Sequence, residues 1–123
     1  MKFSVRKFLK SFVYAVRGVL DVLKEEQNFK VHLFVAMWVI LFGVLFGVSP
    51  SEWCVLLLTI SLVLTSEILN TALEKLCDLI HPEQNETVRV IKDVSAGMVL
   101  LCAIGALLIG IVIFLPKLTT LLI

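Results

Sequence analysis

The sequence predicts an all-α integral membrane protein, built from an N-terminal amphipathic surface helix and three membrane-spanning helices. Of its 123 residues 59% are hydrophobic, against about 45–50% in soluble domains, and the mean hydropathy is +1.03. Three long apolar stretches occupy residues 31–48, 52–76 and 93–115, each near the roughly 20 residues that cross a hydrocarbon core. A chain of this length has room for one folded unit, so residues 1–123 are expected to form a single membrane-embedded domain.

The first predicted element is a helix over residues 3–24, within a segment of surface helix and link that covers residues 1–28. Its basic residues recur at helical spacing on one side, and apolar residues fill the other. The apolar set is Val5, Phe8, Leu9, Phe12, Val16, Val19, Leu20 and Leu23. This pattern is typical of a helix that lies in the membrane interface with its basic face toward lipid headgroups. A simple anchor would show the same pattern, and no cleavable signal peptide is expected.

Two polar connections separate the three spans. Residues 49–52, SPSE, predict a tight turn in which Pro50 ends the first span and Ser51 caps the second. The first two spans are therefore expected to form an antiparallel hairpin. Residues 81–90 are polar and begin with a His-Pro pair, which predicts a loop leading into the third span.

Lysine and arginine predict the orientation, because loops rich in them stay in the cytoplasm. Seven of the eleven precede the first span, three cluster from the end of the second span to the start of the third, and Lys117 alone follows the third. We therefore expect a multi-pass protein of the cell membrane, with the N-terminus and the loop over residues 77–92 in the cytoplasm.

The second span carries polar side chains toward its cytoplasmic end, on one helix face about 100° wide. They are Glu67, Asn70, Thr71, Glu74 and Asp78. At about 1.5 Å per residue from Glu52, Glu67 lies about 22 Å into the membrane, where a carboxylate costs about 2.5–3.5 kcal/mol. Such a cost indicates a functional group; the alternative is a carboxylate paired with Lys or Arg that only holds helices together.

The chemistry of this face predicts phosphoryl transfer to a lipid hydroxyl. Clustered carboxylates facing the cytoplasm suit Mg²⁺, which binds through one or two carboxylates plus substrate phosphates. Lys92 opens the third predicted helix, where its ammonium group and the helix N-terminus favour a phosphate, and Asp93 is placed to cap that helix. Glu67, deeper in the lipid, is placed to take a proton from an alcohol whose tail lies in the bilayer. The sequence contains no P-loop and no kinase glycine loop, which excludes soluble ATP-binding folds.

Several other features indicate no separate function. The net charge of +1 gives no sign of a nucleic-acid partner. Cys54, Cys77 and Cys102 lack metal or disulfide spacing and are interpreted as core residues. His32 and His81 also lack ligand spacing, and both are expected at the membrane interface.

One motif carries a resemblance to a known family. It consists of Glu67-Ile-Leu-Asn70-Thr-Ala-Leu-Glu74, then Asp78, then the Lys-Asp pair at 92–93. It closely resembles the signature of the prokaryotic diacylglycerol kinases, a family of small integral-membrane lipid kinases. The segments KEEQNFKVH and FLPK look most like the Gram-positive branch of that family, whose members are undecaprenol kinases. The resemblance implies a homotrimer in the bacterial cytoplasmic membrane, with active sites shared between subunits.

The resemblance also implies a reaction and roles for residues near the lipid. The γ-phosphate of ATP, with Mg²⁺, would pass to a lipid alcohol, which is undecaprenol or, as the alternative, diacylglycerol. Glu67 would be the general base, and Asn70 a polar partner beside it. Glu26 and Glu74 would bind the divalent metal.

On the nucleotide side, the resemblance implies that Lys92 contacts the phosphates and that Asp93 hydrogen-bonds at the site. The surface helix would add nucleotide contacts from Lys7, Lys10, Tyr14 and Arg17. Three positions depart from the family pattern: Lys7 stands where relatives carry Arg, Ala15 where some carry Ser, and Met98 where a small residue is usual.

An alternative from a different class is a non-enzymatic membrane oligomer, either an ion pathway lined by the acidic residues or a docking subunit. A conduit would need polar side chains across the whole bilayer. The outer half of the second span offers only Thr59, Ser61 and Thr65, which argues against it. Undecaprenol and diacylglycerol both present apolar tails, so physical chemistry alone does not distinguish them.

Overall fold

The computed structural model describes residues 2–83 and 85–123, and these form four α-helices. The helices are α1 (Val5–Glu25), α2 (Gln27–Phe46), α3 (Pro50–Ile80) and α4 (Glu86–Leu122). By length and composition α2, α3 and α4 can each cross a membrane. The predicted all-helical class with three long apolar helices is therefore confirmed.

Helix α1 begins where the Ser4 side chain accepts a hydrogen bond from the backbone of Lys7, a regular N-cap. Its side chains are exposed as far as residue 21, and only Val22 is buried. The extended backbone of Glu26 separates α1 from α2. An ion pair between Lys75 Nζ and Glu25 Oε2, 2.7 Å long, ties the end of α1 to α3. The position of α1 on the membrane surface remains a prediction.

At the turn between α2 and α3, the residue that caps the N-terminus of α3 is not the one predicted. Gly47 ends α2 with a left-handed φ of 63°, which glycine adopts without a steric penalty. Ser49, not Ser51, caps α3: its hydroxyl accepts from the Glu52 backbone, and the Glu52 carboxylate accepts from the Ser49 backbone. The predicted cap was wrong because Pro50 fits the first helical position and Glu52 completes a capping box with a serine three residues before it.

The connection between α3 and α4 is shorter than predicted. Helix α3 continues to Ile80, and α4 begins at Glu86, so the predicted loop over residues 81–90 is wrong for its second half. Asn85 caps α4 by accepting from the backbone of Thr87 and Val88.

That early start corrects two placements in α4. Lys92 does not open the helix, and Asp93 does not cap it, because both residues lie in its second turn. Any phosphate contact from Lys92 therefore depends on its ammonium group rather than on the free N–H groups of a helix end.

Helix packing is most extensive between α3 and α4. A small apolar core of Val48, Leu56 and Ile113 lies near the α2–α3 turn. At the same end, Lys117 Nζ lies 2.9 Å and 3.0 Å from the two carboxylate oxygens of Glu52. Most other apolar side chains of the spans are exposed, as expected of helices that face lipid or another subunit.

Candidate functional site

The polar face predicted on α3 is continuous in the structure. Glu67, Asn70, Glu74 and Asp78 follow one another at intervals of three or four residues, so they lie along one side of the helix. Glu67 is 2% exposed and Asn70 9% exposed, whereas Asp78 is exposed to solvent. We call these four residues the acidic face. It passes from a buried end at Glu67 to an open end at Asp78.

At the buried end, a histidine from α2 meets the Glu67 carboxylate. His32 Nε2 lies 3.2 Å from Glu67 Oε1, and the two side chains are 25% and 3% exposed. Within the described chain, Glu67 Oε1 has no hydrogen bond of regular geometry. The carboxylates of Glu26 and Glu74 are close enough to act on Glu67 electrostatically. Sequence reasoning placed His32 only at the membrane interface and missed this contact.

In the middle of the acidic face, a buried hydrogen-bond chain joins α4 to α3. Ser95 Oγ donates to Asn70 Oδ1 at 2.7 Å, and Asn70 Nδ2 donates to Glu74 Oε1 at 3.3 Å. Both the oxygen and the nitrogen of the Asn70 amide are therefore hydrogen-bonded, which fixes the orientation of the side chain. Sequence reasoning missed Ser95, although it lies one turn after Lys92 and so shares the side of α4 that faces the acidic residues.

At the open end, charged side chains from the end of α3 and the start of α4 border a cavity of about 510 Å³. Lys92 Nζ lies 2.6 Å from Asp78 Oδ1, and Lys92 also acts electrostatically on Glu74. Asp93 Oδ2 lies 2.5 Å from Arg89 Nη1. The cavity therefore combines ammonium, guanidinium and carboxylate groups, which can bind a charged, hydrogen-bonding ligand.

The predicted contacts from the surface helix are not assembled within one chain. Lys7, Lys10, Tyr14 and Arg17 are all exposed. The Arg17 guanidinium lies 5.5 Å from the centre of the Tyr14 ring. Over residues 2–83 and 85–123, none of the four side chains hydrogen-bonds to the acidic face or pairs with it.

Of the two predicted metal ligands, Glu26 lies at the junction of α1 and α2, and Glu74 lies on α3. In the part of the chain that the structure describes, no three His, Cys, Asp or Glu side chains are grouped to hold a metal ion by themselves. Glu26 and Glu74 each lie near enough to Glu67 to act on it electrostatically. Two carboxylates are enough for Mg²⁺, which takes one or two protein carboxylates and completes its shell with water and phosphate oxygens.

A family model for prokaryotic diacylglycerol kinase matches residues 13–114, which include the whole acidic face and both Lys92 and Ser95. The chain belongs to that family. The predicted family is thus confirmed, and with it the prediction that the protein is a lipid kinase. This membership argues against the non-enzymatic oligomer considered from the sequence.

Three curated relatives are similar over most of the chain. The undecaprenol kinase of Bacillus subtilis (strain 168) is 39% identical over 115 residues, which cover 94% of both chains. The diacylglycerol kinase of Synechocystis sp. (strain PCC 6803) is 39% identical over 116 residues, covering 94% of this chain and 66% of the relative. The diacylglycerol kinase of Haemophilus influenzae is 29% identical over 108 residues, covering 86% and 92%.

Proposed function

We propose that this protein transfers the γ-phosphate of ATP to the hydroxyl group of a membrane lipid alcohol, and that the acceptor is undecaprenol. The observation that carries the proposal is the Glu67 carboxylate, 2% exposed inside a helix long enough to span the membrane, with one oxygen lacking a regular hydrogen bond. A carboxylate at this depth is costly and is expected to serve a function.

Glu67 is proposed as the general base. The acceptor hydroxyl approaches from the bilayer, where its tail is soluble, and gives its proton to Glu67 as its oxygen attacks the γ-phosphorus. A new oxygen–phosphorus bond forms, the bond between the γ-phosphorus and the bridging oxygen breaks, and ADP leaves. A carboxylate suits this task because proton transfer from an alcohol needs a base within hydrogen-bonding reach.

The open end of the acidic face is proposed as the nucleotide side. In this proposal Lys92 contacts phosphate oxygens and Asp93 hydrogen-bonds the nucleotide, which is supported by the position of both residues at the border of the polar cavity. Glu26 and Glu74 would hold Mg²⁺, which neutralises negative charge on the phosphates when bound. Asn70, held by Ser95, keeps the Glu74 carboxylate oriented toward that position.

The complete site is proposed to need more than one subunit. The acidic face is open at its Asp78 end, and the nucleotide contacts expected from α1 are not assembled within one chain. A homotrimer would allow a neighbouring subunit to supply Lys7, Lys10, Tyr14 and Arg17. We further propose that the N-terminus and the open end of the acidic face lie in the cytoplasm, where ATP is available, and that the protein resides in the cytoplasmic membrane of a bacterium.

The choice of acceptor is supported by the relatives. The similarity to the Bacillus subtilis undecaprenol kinase is 39% identity over 115 residues, which cover 94% of both chains. Diacylglycerol is the second candidate, because the Synechocystis diacylglycerol kinase shows the same 39% identity over the same share of this chain.

The test is transfer of labelled γ-phosphate from Mg-ATP, by detergent-purified protein, to undecaprenol and diacylglycerol in parallel. We expect label in undecaprenol and a preference over diacylglycerol. Glu67→Gln should abolish transfer because the amide cannot accept the proton, whereas Glu52→Gln, at the other end of the same helix, should retain it. Preference for diacylglycerol would change the acceptor only. Full transfer by Glu67→Gln would refute the proposed base.

A further inference from the structure

The geometry points to His32 as a positioning residue for Glu67, a role that rests on the proposed function of Glu67 as the base. The imidazole Nε2 lies 3.2 Å from Glu67 Oε1, and the carboxylate is 3% exposed while the imidazole is 25% exposed. The contact falls outside regular hydrogen-bond geometry, but at this distance a small rotation of the ring lets an N–H at Nε2 donate to Oε1 and fix the direction in which the carboxylate presents its lone pairs.

The other polar groups near Glu67 on α3 are already committed to different partners. Thr71 Oγ1 donates to the backbone oxygen of Glu67, not to its carboxylate, and Ser66 Oγ donates to the backbone of Val63. The amide group of Asn70 donates to Glu74, and its oxygen accepts from Ser95. None of these groups orients the Glu67 carboxylate in the described structure.

The two carboxylates that act on Glu67 would displace it rather than hold it. Glu26, from the α1–α2 junction, and Glu74, two turns further along α3 on the same face, are both carboxylates. Like charges repel, so without a donor on Oε1 the base would rotate away from them. His32, on α2, lies against Oε1 and has a ring nitrogen that can donate a hydrogen bond.

His32 also lies on the side from which a lipid acceptor would arrive. It borders an apolar cavity of about 760 Å³ between α2, α3 and α4, together with side chains such as Val35, Val63 and Leu107. The imidazole therefore borders this apolar space and also contacts the buried carboxylate. We infer that it holds the base in line with an incoming hydroxyl, so its removal should lower kcat and leave ATP binding unchanged.

Three substitutions of His32 test this role in the undecaprenol assay. Glutamine can place an N–H near the position of imidazole Nε2, whereas the shorter asparagine falls short of it and phenylalanine keeps only the ring. We expect His32→Gln to retain kcat within about threefold. His32→Asn and His32→Phe should lose about 10- to 100-fold in kcat, the effect of a slightly misplaced catalytic group, with the KM for ATP unchanged within about twofold. Lys30→Gln, an exposed change one half-turn earlier, is the control and should match wild type.

Two results from the single variants would overturn the inference. One is wild-type kcat in both His32→Asn and His32→Phe. The other is equal loss in all three variants accompanied by a lower thermal unfolding midpoint, which indicates a structural role. A double variant separates the inference from the proposed function. If His32 acts through Glu67, adding His32→Phe to Glu67→Gln should cause no further loss of the residual rate. A further loss by the full single-variant factor would refute the coupling while leaving Glu67 as the base.

Full turnover by Glu67→Gln alone would refute the proposed base itself, and the positioning role of His32 with it. The single Glu67 variant therefore tests the function, and the His32 series tests the inference.

Discussion

Replacing Ser95 by alanine should weaken both the fold and the reaction, because it removes the hydrogen bond that joins α4 to the acidic face. Ser95 Oγ donates to Asn70 Oδ1 at 2.7 Å, and the two residues are 4% and 9% exposed. Water cannot readily replace the lost donor at this burial. Asn70 Oδ1 is then left without a partner, and the amide that orients Glu74 is free to rotate.

Two known ranges set the expected loss in the free energy of unfolding. An unsatisfied buried acceptor costs about 1–3 kcal/mol in soluble proteins. Hydrogen bonds between membrane helices average about 0.6 kcal/mol and reach about 1.7 kcal/mol. Because both partners are nearly enclosed, we expect Ser95→Ala to cost about 1–1.5 kcal/mol. If the reaction depends fully on this arrangement, the same free energy corresponds to a fall in kcat of about 5- to 13-fold.

The assay pairs reversible unfolding in mixed micelles with phosphoryl transfer. Ser61→Ala is the matched control, since Ser61 is exposed and bonds only to Leu57 in its own helix, and it should change stability by less than about 0.5 kcal/mol. Asn70→Leu combined with Ser95→Ala should recover much of the stability, because both polar partners are then gone, but not the turnover. A Ser95→Ala variant as stable and as active as wild type would refute the role of this bond.

Three further outcomes are expected. Gly43→Ala should lower the thermal unfolding midpoint, because a methyl group there would lie 2.6 Å from the Trp53 ring. The overpacking costs about 1–3 kcal/mol, which exceeds the gain in helix propensity. Gly18→Ala is the control: it has open space around it and should raise the midpoint slightly. Lys117→Met should lower the midpoint by only a few degrees and leave the membrane orientation unchanged in cysteine-labelling experiments, since Glu52 already balances this charge. Chelation of divalent cations should abolish transfer, and added Mg²⁺ should restore it; transfer that survives chelation would remove the metal from the proposal.

The sequence was sufficient for features that depend on one helix at a time. Hydropathy located the spans, and the spacing of Glu67, Asn70 and Glu74 was enough to place them on one side of α3. Contacts between helices could not be predicted in this way. The meeting of His32 with Glu67 depends on how α2 crosses α3, and no periodicity within either segment encodes that crossing.

Two other differences have local causes. Ser95 is small and uncharged, so in an apolar helix it gave no signal comparable to that of a carboxylate. The end of the α3–α4 connection was misplaced because the polar run after residue 81 was interpreted as loop throughout, although Asn85 before Glu86 is a favourable start for a helix.

Helix α3 is one uninterrupted helix of 31 residues, about 46 Å long, whereas the hydrocarbon core of a bilayer is about 30 Å thick. Glu67 and Asp78 are therefore held about 16 Å apart along the axis of one helix that extends from the hydrocarbon core toward the aqueous phase. The level of the boundary between hydrocarbon and water depends on the thickness of the surrounding bilayer. In a thicker membrane more of the acidic face would sink into hydrocarbon, and in a thinner one water would reach Glu67. Chain length and unsaturation of the neighbouring lipids would in this way adjust the hydration of the site with no effector bound.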